Sequence, residues 1–393
     1  MNPGGLKRLL EIQSLVSMGR TSPNPSVACV LLCKYNSGEI RQYYGNTEIS
    51  GKRHAEIVAL DNYDASGERA RKIILLVTLE PCSVTGKTPP CTDRILKYPE
   101  IKTIVIFSKD PSLLKSGINA LRKSGKKVII LKDSVIEKTF LNGFTGRIST
   151  SGPRMHLKAA SDSRGLIGRK GERLFLSSPD AYKFSMALRA KLDAVLAGPG
   201  TVASDLPGLE MRQMSGELFF RKISGNDLFT ELMLENYSMI EEQFSDRDYQ
   251  PRRIFILGKQ FENSSVFIKK QEEISRITGK QAVYFLLEDS SHLWGTLSDV
   301  EIIPSLASPD FSSELRKSLA GRGLNEVLIE GGAGLFLSLE KNLTDRDRIY
   351  ILKSKKNYGI LKNSNDDVYL PAFMEKRQKR AFYDLGGDFL NVY

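Results

Sequence analysis

The sequence predicts an α/β fold in two domains, and three observations predict it. The chain has 393 residues, more than one hydrophobic core ordinarily organises at roughly 150 residues per domain. Apolar β-patterned runs alternate with helical patterns along its whole length, the arrangement of layered α/β domains. One break in that alternation, GRISTSGPR at 146 to 154, is rich in Gly and Ser, contains Pro and has no apolar period, which marks a linker. These place a first domain at 1 to 148 and a second at 152 to 393.

In the first domain a helical opening leads to strand VACVLLC (27 to 33), a turn at Asn36-Ser37-Gly38 and a helix starting near His54. Strand IILLVTLE (73 to 80), a Pro/Gly/Thr-rich loop, a helix around Asp93 to Lys97 and strand TIVIF (103 to 107) follow. In the second, MHLKAA, a helix around Ser178 to Lys191, and strands DAVLAG, RIFILG, NEVLIEGG and RIYILK resume the alternation. Residues 213 to 250 fit neither period and read as a polar, partly helical insertion, since long connections are usually functional or disordered. No internal repeat is visible.

Composition narrows the class. With 41% apolar and 26% charged residues, and no apolar run of about 18 residues, no membrane span is expected. The opening MNPGGLKRLLEIQSLVSMGR scatters charges through a helical pattern and lacks a signal peptide's apolar core and cleavage site, so cytoplasmic residence is expected. Four cysteines are too few for a disulfide scaffold and are read as core residues or metal ligands. The net charge of +11 would attract polyanions or small phosphorylated substrates alike. Lys and Arg are spread among many acids rather than blocked with aromatics, so a nucleic-acid partner is not expected.

His54-Ala55-Glu56 opens a predicted helix, Pro81-Cys82 follows a strand, and Cys91 comes after SVTGKTPP. One imidazole and two thiolates supply three ligands for a tetrahedral zinc and leave the fourth position to a water of lowered pKa. Glu56 can stay outside that shell and move protons between the water and a leaving amine. Read singly, His54 is an ordinary helix-start residue and Cys82 and Cys91 are core thiols, because short motifs match by chance. Their coincidence favours the metal site, and His-x-Glu with Pro-Cys is the signature of zinc deaminases. Cys29 and Cys33 share one face of a strand and are read as core.

The segments TSPNPSVACV (21 to 30), GKRHAEIVAL (51 to 60) and VTLEPCSVTGKTPPCTDRI (77 to 95) resemble the deaminase half of the bifunctional deaminase/reductase family of riboflavin biosynthesis. The long loop between the cysteines is similar to that family's and unlike the two-residue spacing of tRNA adenosine and cytidine deaminases. The resemblance implies a cytidine-deaminase-like three-layer domain with zinc on His54, Cys82 and Cys91, Glu56 as acid/base, and substrate contacts from Asn24 and Lys87. Val84 and Thr47 stand where the family usually has histidines.

The second half resembles the family's reductase, similar in fold to dihydrofolate reductase, through MHLKAAS (155 to 161), ALRAKLDAVLAGPGTVASDLPGLEMR (187 to 212) and NEVLIEGGAGLF (325 to 336). In AVLAGPGT and VLIEGGAG a strand runs into glycines that open a helix, where backbone N–H groups can meet a pyrophosphate. The resemblance implies NADPH along Lys158, Ala160, Gly198, Gly200, Gly331 and Gly332, and substrate at Arg189, Thr201, Asp205, Leu209, Arg212 and Glu330. Arginines suit a phosphate because guanidinium donates in pairs; Arg189 read alone is a solvated helix charge. Phe175 replaces a usual tryptophan, Leu206 the second Asp of Asp-Asp-Pro, and Arg164 an aspartate of a turn.

The expected function is therefore hydrolytic deamination of 2,5-diamino-6-ribosylamino-4(3H)-pyrimidinone 5′-phosphate, followed by NADPH-dependent reduction of its ribosyl group to ribityl, by a homo-oligomer acting on a small phosphorylated pyrimidine. Two alternatives stand beside it: a zinc deaminase, on a pyrimidine phosphate or a nucleic acid, and one whose reductase-like domain is a degenerate ligand-binding module.

Overall fold

The computed structural model describes residues 3–113, 116–131, 133–149, 152–169, 172, 174–214, 216–259, 261, 264–290, 297–356 and 366–393. It divides into two compact units, Met1–Ser149 and Thr150–Tyr393. No helix among the described residues is long and apolar enough to cross a membrane.

In the first unit, α1 (Pro3–Ser17) precedes β1 (Ala28–Lys34) and β2 (Ile40–Asn46); α2 (Ala55–Asp64), β3 (Lys72–Val77), α3 (Cys91–Leu96), β4 (Ile101–Ile106), α4 (Ile118–Lys123) and β5 (Lys127–Ile130) follow. Two short helices, α5 (Ser134–Ile136) and α6 (Asn142–Ile148), flank a π turn at Glu137–Leu141. The sheet runs β2-β1-β3-β4-β5, with β1 antiparallel to both neighbours and β3, β4 and β5 parallel. Gly38, at φ +87°, turns β1 into β2. Gly45 on β2 matters more: a Cβ there would lie 2.5 Å from Ala55 O and Ala59 N. Only glycine lets α2 press against the sheet at that point.

Several limits differ from the expectation. The apolar run from Ile73 leaves the ladder after Val77; beyond it the Ala28 N–H donates to the Thr78 hydroxyl oxygen at 3.0 Å and the Glu80 N–H donates to Ser108 O at 2.9 Å. The helix placed around Asp93 starts at Cys91 instead. Strands β2, a largely polar edge (IRQYYGN), and β5, only four residues long, carry too little alternation to be read from sequence. The linker is shorter than 146 to 154, since α6 continues to Ile148 and β6 begins at Arg154.

The second unit contains β6 (Arg154–Ser161), β7 (Leu166–Arg169), α7 (Pro179–Lys191), β8 (Ala194–Ala197), α8 (Pro199–Asp205), β9 (Arg221–Gly225), α9 (Leu228–Glu235), α10 (Tyr237–Glu242), β10 (Arg252–Leu257) and α11 (Ser264–Thr278). It continues with β11 (Val283–Leu287), β12 (Val300–Ile303), α12 (Phe311–Gly321), β13 (Glu326–Glu330), α13 (Ala333–Leu339), β14 (Arg348–Ser354), β15 (Asp367–Tyr369), α14 (Phe373–Lys376), β16 (Ala381–Asp384) and β17 (Asp388–Val392). A ten-stranded sheet runs β12-β11-β10-β8-β13-β6-β14-β17-β16-β9, parallel from β12 to β14 and antiparallel beyond. The inner strands read as unbroken apolar runs because both faces are covered.

Residues 213 to 250 are partly helical, as expected, and they also carry a strand and a buried apolar stripe that their polar composition did not suggest. β9 extends the sheet on β16, and α9 buries Phe229, Leu232, Met233 and Leu234. Asp227 caps α9 by accepting from Thr230 N at 3.0 Å and also accepts from Arg348 Nε at 2.9 Å. The intervening charges lie on the open side of these short elements and masked the apolar stripe.

Candidate active sites

In the first unit three separate elements bring the zinc-type ligands together. His54 occupies the N-cap position of α2, Cys82 lies in the loop after β3, and Cys91 is the first residue of α3. Their donor atoms all fall within 4.8 Å of one another. His54 Nδ1 is 3.6 Å from Cys82 Sγ and 3.4 Å from Cys91 Sγ. Tetrahedral zinc, with bonds of about 2.3 Å to sulfur and 2.0–2.1 Å to nitrogen, has an N···S edge of about 3.6 Å. The donor set therefore fits that ion in type and in spacing.

The local electrostatics suit thiolate ligands. Cys91 N–H donates to Cys82 Sγ at 3.3 Å. The hydrogen bond from the Cys91 thiol, together with His54, pulls the Cys82 thiol down to about 4, against the effect of burial. Cys91, whose proton that bond holds, is pushed up. Glu56 sits in the first turn of α2, only 4% exposed. Burial first, and then the negative Cys82, raise its carboxyl to about 7, where a group can both take and give a proton near neutrality. Cys29 and Cys33 lie wholly in the core, and burial pushes Cys33 to about 12 and Cys29 well above the ordinary range.

A cavity of about 310 Å³ opens beside these ligands, lined among others by Asn24, His54, Glu56, Glu80, Cys82 and Lys87. Arg147 donates to Pro23 O at 2.8 Å and steadies the turn that carries Asn24. The side chain of Lys87 lies along Gly51, 3.6 Å from the position of a Cβ. Thr47 and Val84, at the two positions that depart from the histidine pattern, line the same cavity. Glu80 went unnoticed in the sequence; buried, it accepts from Ser116 Oγ at 2.5 Å. Its only sequence signal is its place just before Pro81-Cys82.

In the second unit the parallel register sets Lys158 of β6 beside Glu330 and Ala197, the last residues of β13 and β8, and open α/β sheets bind ligands at the carboxyl ends of their strands. Gly198 and Gly332 are the N-cap residues of α8 and α13. The glycines divide into two kinds. A Cβ on Gly198 or Gly331 would lie 2.9 Å from Leu335, so both make room for α13, whereas Gly200 and Gly332 face open space. Ala160 is half-buried on β6, and Thr201 and Asp205 are half-buried on α8.

Arg189 is not a solvated helix charge. It is 9% exposed and donates from Nε and Nη2 to both oxygens of Glu330 at 2.9 and 2.8 Å, and from Nη1 to Glu210 O at 2.8 Å. Burial opposes the charge on Glu330, but Arg189 and then Lys158 hold its carboxyl at about 2. Burial likewise pulls Lys158 below its usual value, with Glu330 opposing. Leu209 is buried, with a left-handed backbone at φ 61°, so its side chain is turned into the protein. Arg212 is half-exposed and paired with Glu210 at 2.7 Å.

Comparison with known proteins joins the two units. Residues 7–108 match the cytidine and deoxycytidylate deaminase zinc-binding region, and residues 165–352 match the RibD C-terminal domain. The riboflavin biosynthesis protein RibD of Actinobacillus pleuropneumoniae is 30% identical over 295 residues, 70% of this chain and 74% of its own. RibD of Buchnera aphidicola is 29% identical over 376 residues, 93% of this chain and 92% of its own. A crystal structure of a diaminohydroxyphosphoribosylaminopyrimidine deaminase/5-amino-6-(5-phosphoribosylamino)uracil reductase from Thermotoga maritima superposes with a TM-score of 0.71, covering 98% of this chain and 96% of that one at 26% identity. A deaminase zinc-binding region followed by a RibD reductase domain places this chain in the RibD family, the bifunctional deaminase/reductases of riboflavin biosynthesis.

Proposed function

We propose that residues 1 to 148 hydrolyse the ring amine of 2,5-diamino-6-ribosylamino-4(3H)-pyrimidinone 5′-phosphate, and that residues 152 to 393 then reduce the ribosyl group to ribityl with NADPH. The observation that carries the reading is the convergence of His54, Cys82 and Cys91 beside a buried Glu56 on one cavity. The Thermotoga protein's named activities support the substrate.

His54, Cys82 and Cys91 would hold zinc, which supplies Lewis acidity to a water at neutral pH. Glu56 takes a proton from the attacking water and returns it to the departing nitrogen, so that one water is consumed and one ammonia released. Asn24 and Lys87 orient the pyrimidine and its ribose phosphate from the cavity rim, Lys87 as a point charge. In the reductase, Gly200 and Gly332 leave backbone open for the cofactor, with Lys158, Ala160, Gly198 and Gly331 around it; NADPH supplies the hydride. Glu330 and Arg189 form one unit beside the sugar, with Thr201, Asp205 and the Leu209 backbone nearby and Arg212 toward the phosphate. The reading fits a cytoplasmic enzyme of small-molecule metabolism.

Incubating the purified chain with the diamino pyrimidine phosphate, with and without NADPH, and weighing the products tests this directly. Loss of the amine alone without NADPH, and a further gain of two hydrogens with it, is the expected result. An unchanged substrate mass under both conditions rules the proposal out.

A further inference from the structure

The loop that follows α8 is held with unusual firmness for a surface segment. Leu206 and Leu209 both adopt left-handed backbone, at φ 44° and 61°, a conformation that is unfavourable for non-glycine residues and persists only where the surroundings enforce it. The enforcement is visible. Lys270 donates to Leu206 O at 2.6 Å, Gln271 to Pro207 O at 2.9 Å and Arg189 to Glu210 O at 2.8 Å, while Met211 N–H donates to Gln250 at 3.0 Å. The result is a fixed frame that displays two side chains, Glu210 and Arg212.

Within that frame Arg212 Nε donates to Glu210 Oε1 at 2.7 Å. The Glu210 side chain folds back so closely over Gly208 that a Cβ on Gly208 would run into its carboxylate. Burial raises the Glu210 carboxyl, but Arg212 and the residue's own N–H outweigh it and hold the group charged. The other arginine of the site, Arg189, already has its partner in Glu330. Each guanidinium at this end of the sheet thus carries its own carboxylate, an uneconomical arrangement for capturing a dianion unless one carboxylate can be displaced.

We propose that Glu210 is a specificity-determining residue that competes with the phosphate of the reductase substrate for the guanidinium of Arg212. This rests on the reading of Arg212 as the phosphate-facing residue. Phosphate offers the guanidinium the same paired acceptors that the carboxylate does, so binding exchanges one partner for the other and leaves Glu210 beside a dianion. Affinity for phosphorylated sugars is set below what Arg212 alone would give, and unphosphorylated sugars, which leave the pair intact, are unaffected.

The test uses the full-length chain and reads NADPH oxidation with the deaminated substrate, with ribose 5-phosphate and ribose as inhibitors. In Glu210→Gln the inhibition constant of ribose 5-phosphate and the substrate KM should both fall by about 2- to 5-fold, the range for a partly exposed ion pair, with the change in KM and not in kcat. That of ribose should not move. Arg212→Ala should weaken ribose 5-phosphate. If Glu210→Gln leaves it unchanged or weaker while Arg212→Ala weakens it, Arg212 keeps its role and the competition is overturned. An equal shift for ribose overturns it too. Loss of any effect in Arg212→Ala, or a wild-type chain that never consumes NADPH, removes the underlying reading and the proposal with it.

Discussion

Glu56 owes its behaviour to position. At the second residue of α2, beside the helix-capping His54, it is buried next to the cysteine pair, which raises its carboxyl to about 7. Glu56→Gln preserves shape and removes the exchangeable proton, so deamination should fall by at least about 100-fold, the usual contribution of a general acid/base, with zinc content unchanged by metal analysis. Cys91→Ala leaves two ligands of three, and the same analysis should show zinc lost; stoichiometric metal in that variant contradicts the ligand set. The candidate metal residues were legible because His-x-Glu and Pro-Cys are local spacings that survive translation into any fold. Glu80 was not, because what distinguishes it is a distant neighbour, Ser116, and Glu210 was not, because its fold back over Gly208 onto Arg212 depends on the conformation of the loop that carries all three.

The elements of the second unit are tied by a buried charged network at the amino ends of β6, β13 and β14. Arg154 donates to both oxygens of Glu326 at 2.7 Å, His156 Nε2 meets Glu326 at 2.7 Å, and Arg348 binds Asp227, the cap of α9. Burial keeps His156 neutral down to about 4, with Glu326 opposing; its Nε2–H then donates to Glu326 while Nδ1 accepts from Tyr350. Burial pushes Glu326 and Asp227 up, but Arg154 and His156 in one case and Arg348 and Thr230 in the other bring both to about 2. The unfolded chain protonates His156 near 6.5 and the folded chain does not, so stability falls as pH drops from about 6.5 to 4. The carboxylates contribute fully above about 4.5, and that contribution is lost as pH falls toward 2. The urea midpoint of the second unit should therefore decrease from pH 7 to 5 in the wild type. His156→Asn should be less stable at pH 7 yet show a flatter dependence across that interval; an identical slope would exclude the imidazole as its source. None of this network was legible, since sequence does not show which strands become neighbours. The strands that were read are those with dense apolar runs, such as β8 and β13, whereas β2 and the 221–242 elements depend on an edge position or on one-sided burial.

At the scale of the whole chain, the two units each have their own sheet and their own set of candidate site residues. The second has a separate core built on residues such as Leu196, Ile254, Phe285 and Ile329. Domains with independent cores can fold alone, so a chain cut to residues 1 to 148 should deaminate without NADPH, and one of 152 to 393 should oxidise NADPH only when given the deaminated intermediate. The positions that depart from the family pattern do not break the reductase frame. Asp162, not residue 164, staples its turn, accepting from Arg164 N and Leu166 N at 2.8 and 2.9 Å, and Leu206 is held in place by Lys270. Phe175 instead exposes 74% of its surface, and nothing in the structure explains that replacement. In the intact protein Glu330→Ala and Arg189→Ala each leave a buried charge without its partner, a loss typically of about 3–5 kcal/mol, and they should abolish reduction while deamination stays within a few-fold. Deaminated intermediate should then accumulate, and mass spectrometry of the reaction mixture reads it directly. If deamination instead collapses along with reduction in both variants, the two activities are not divided between the two units.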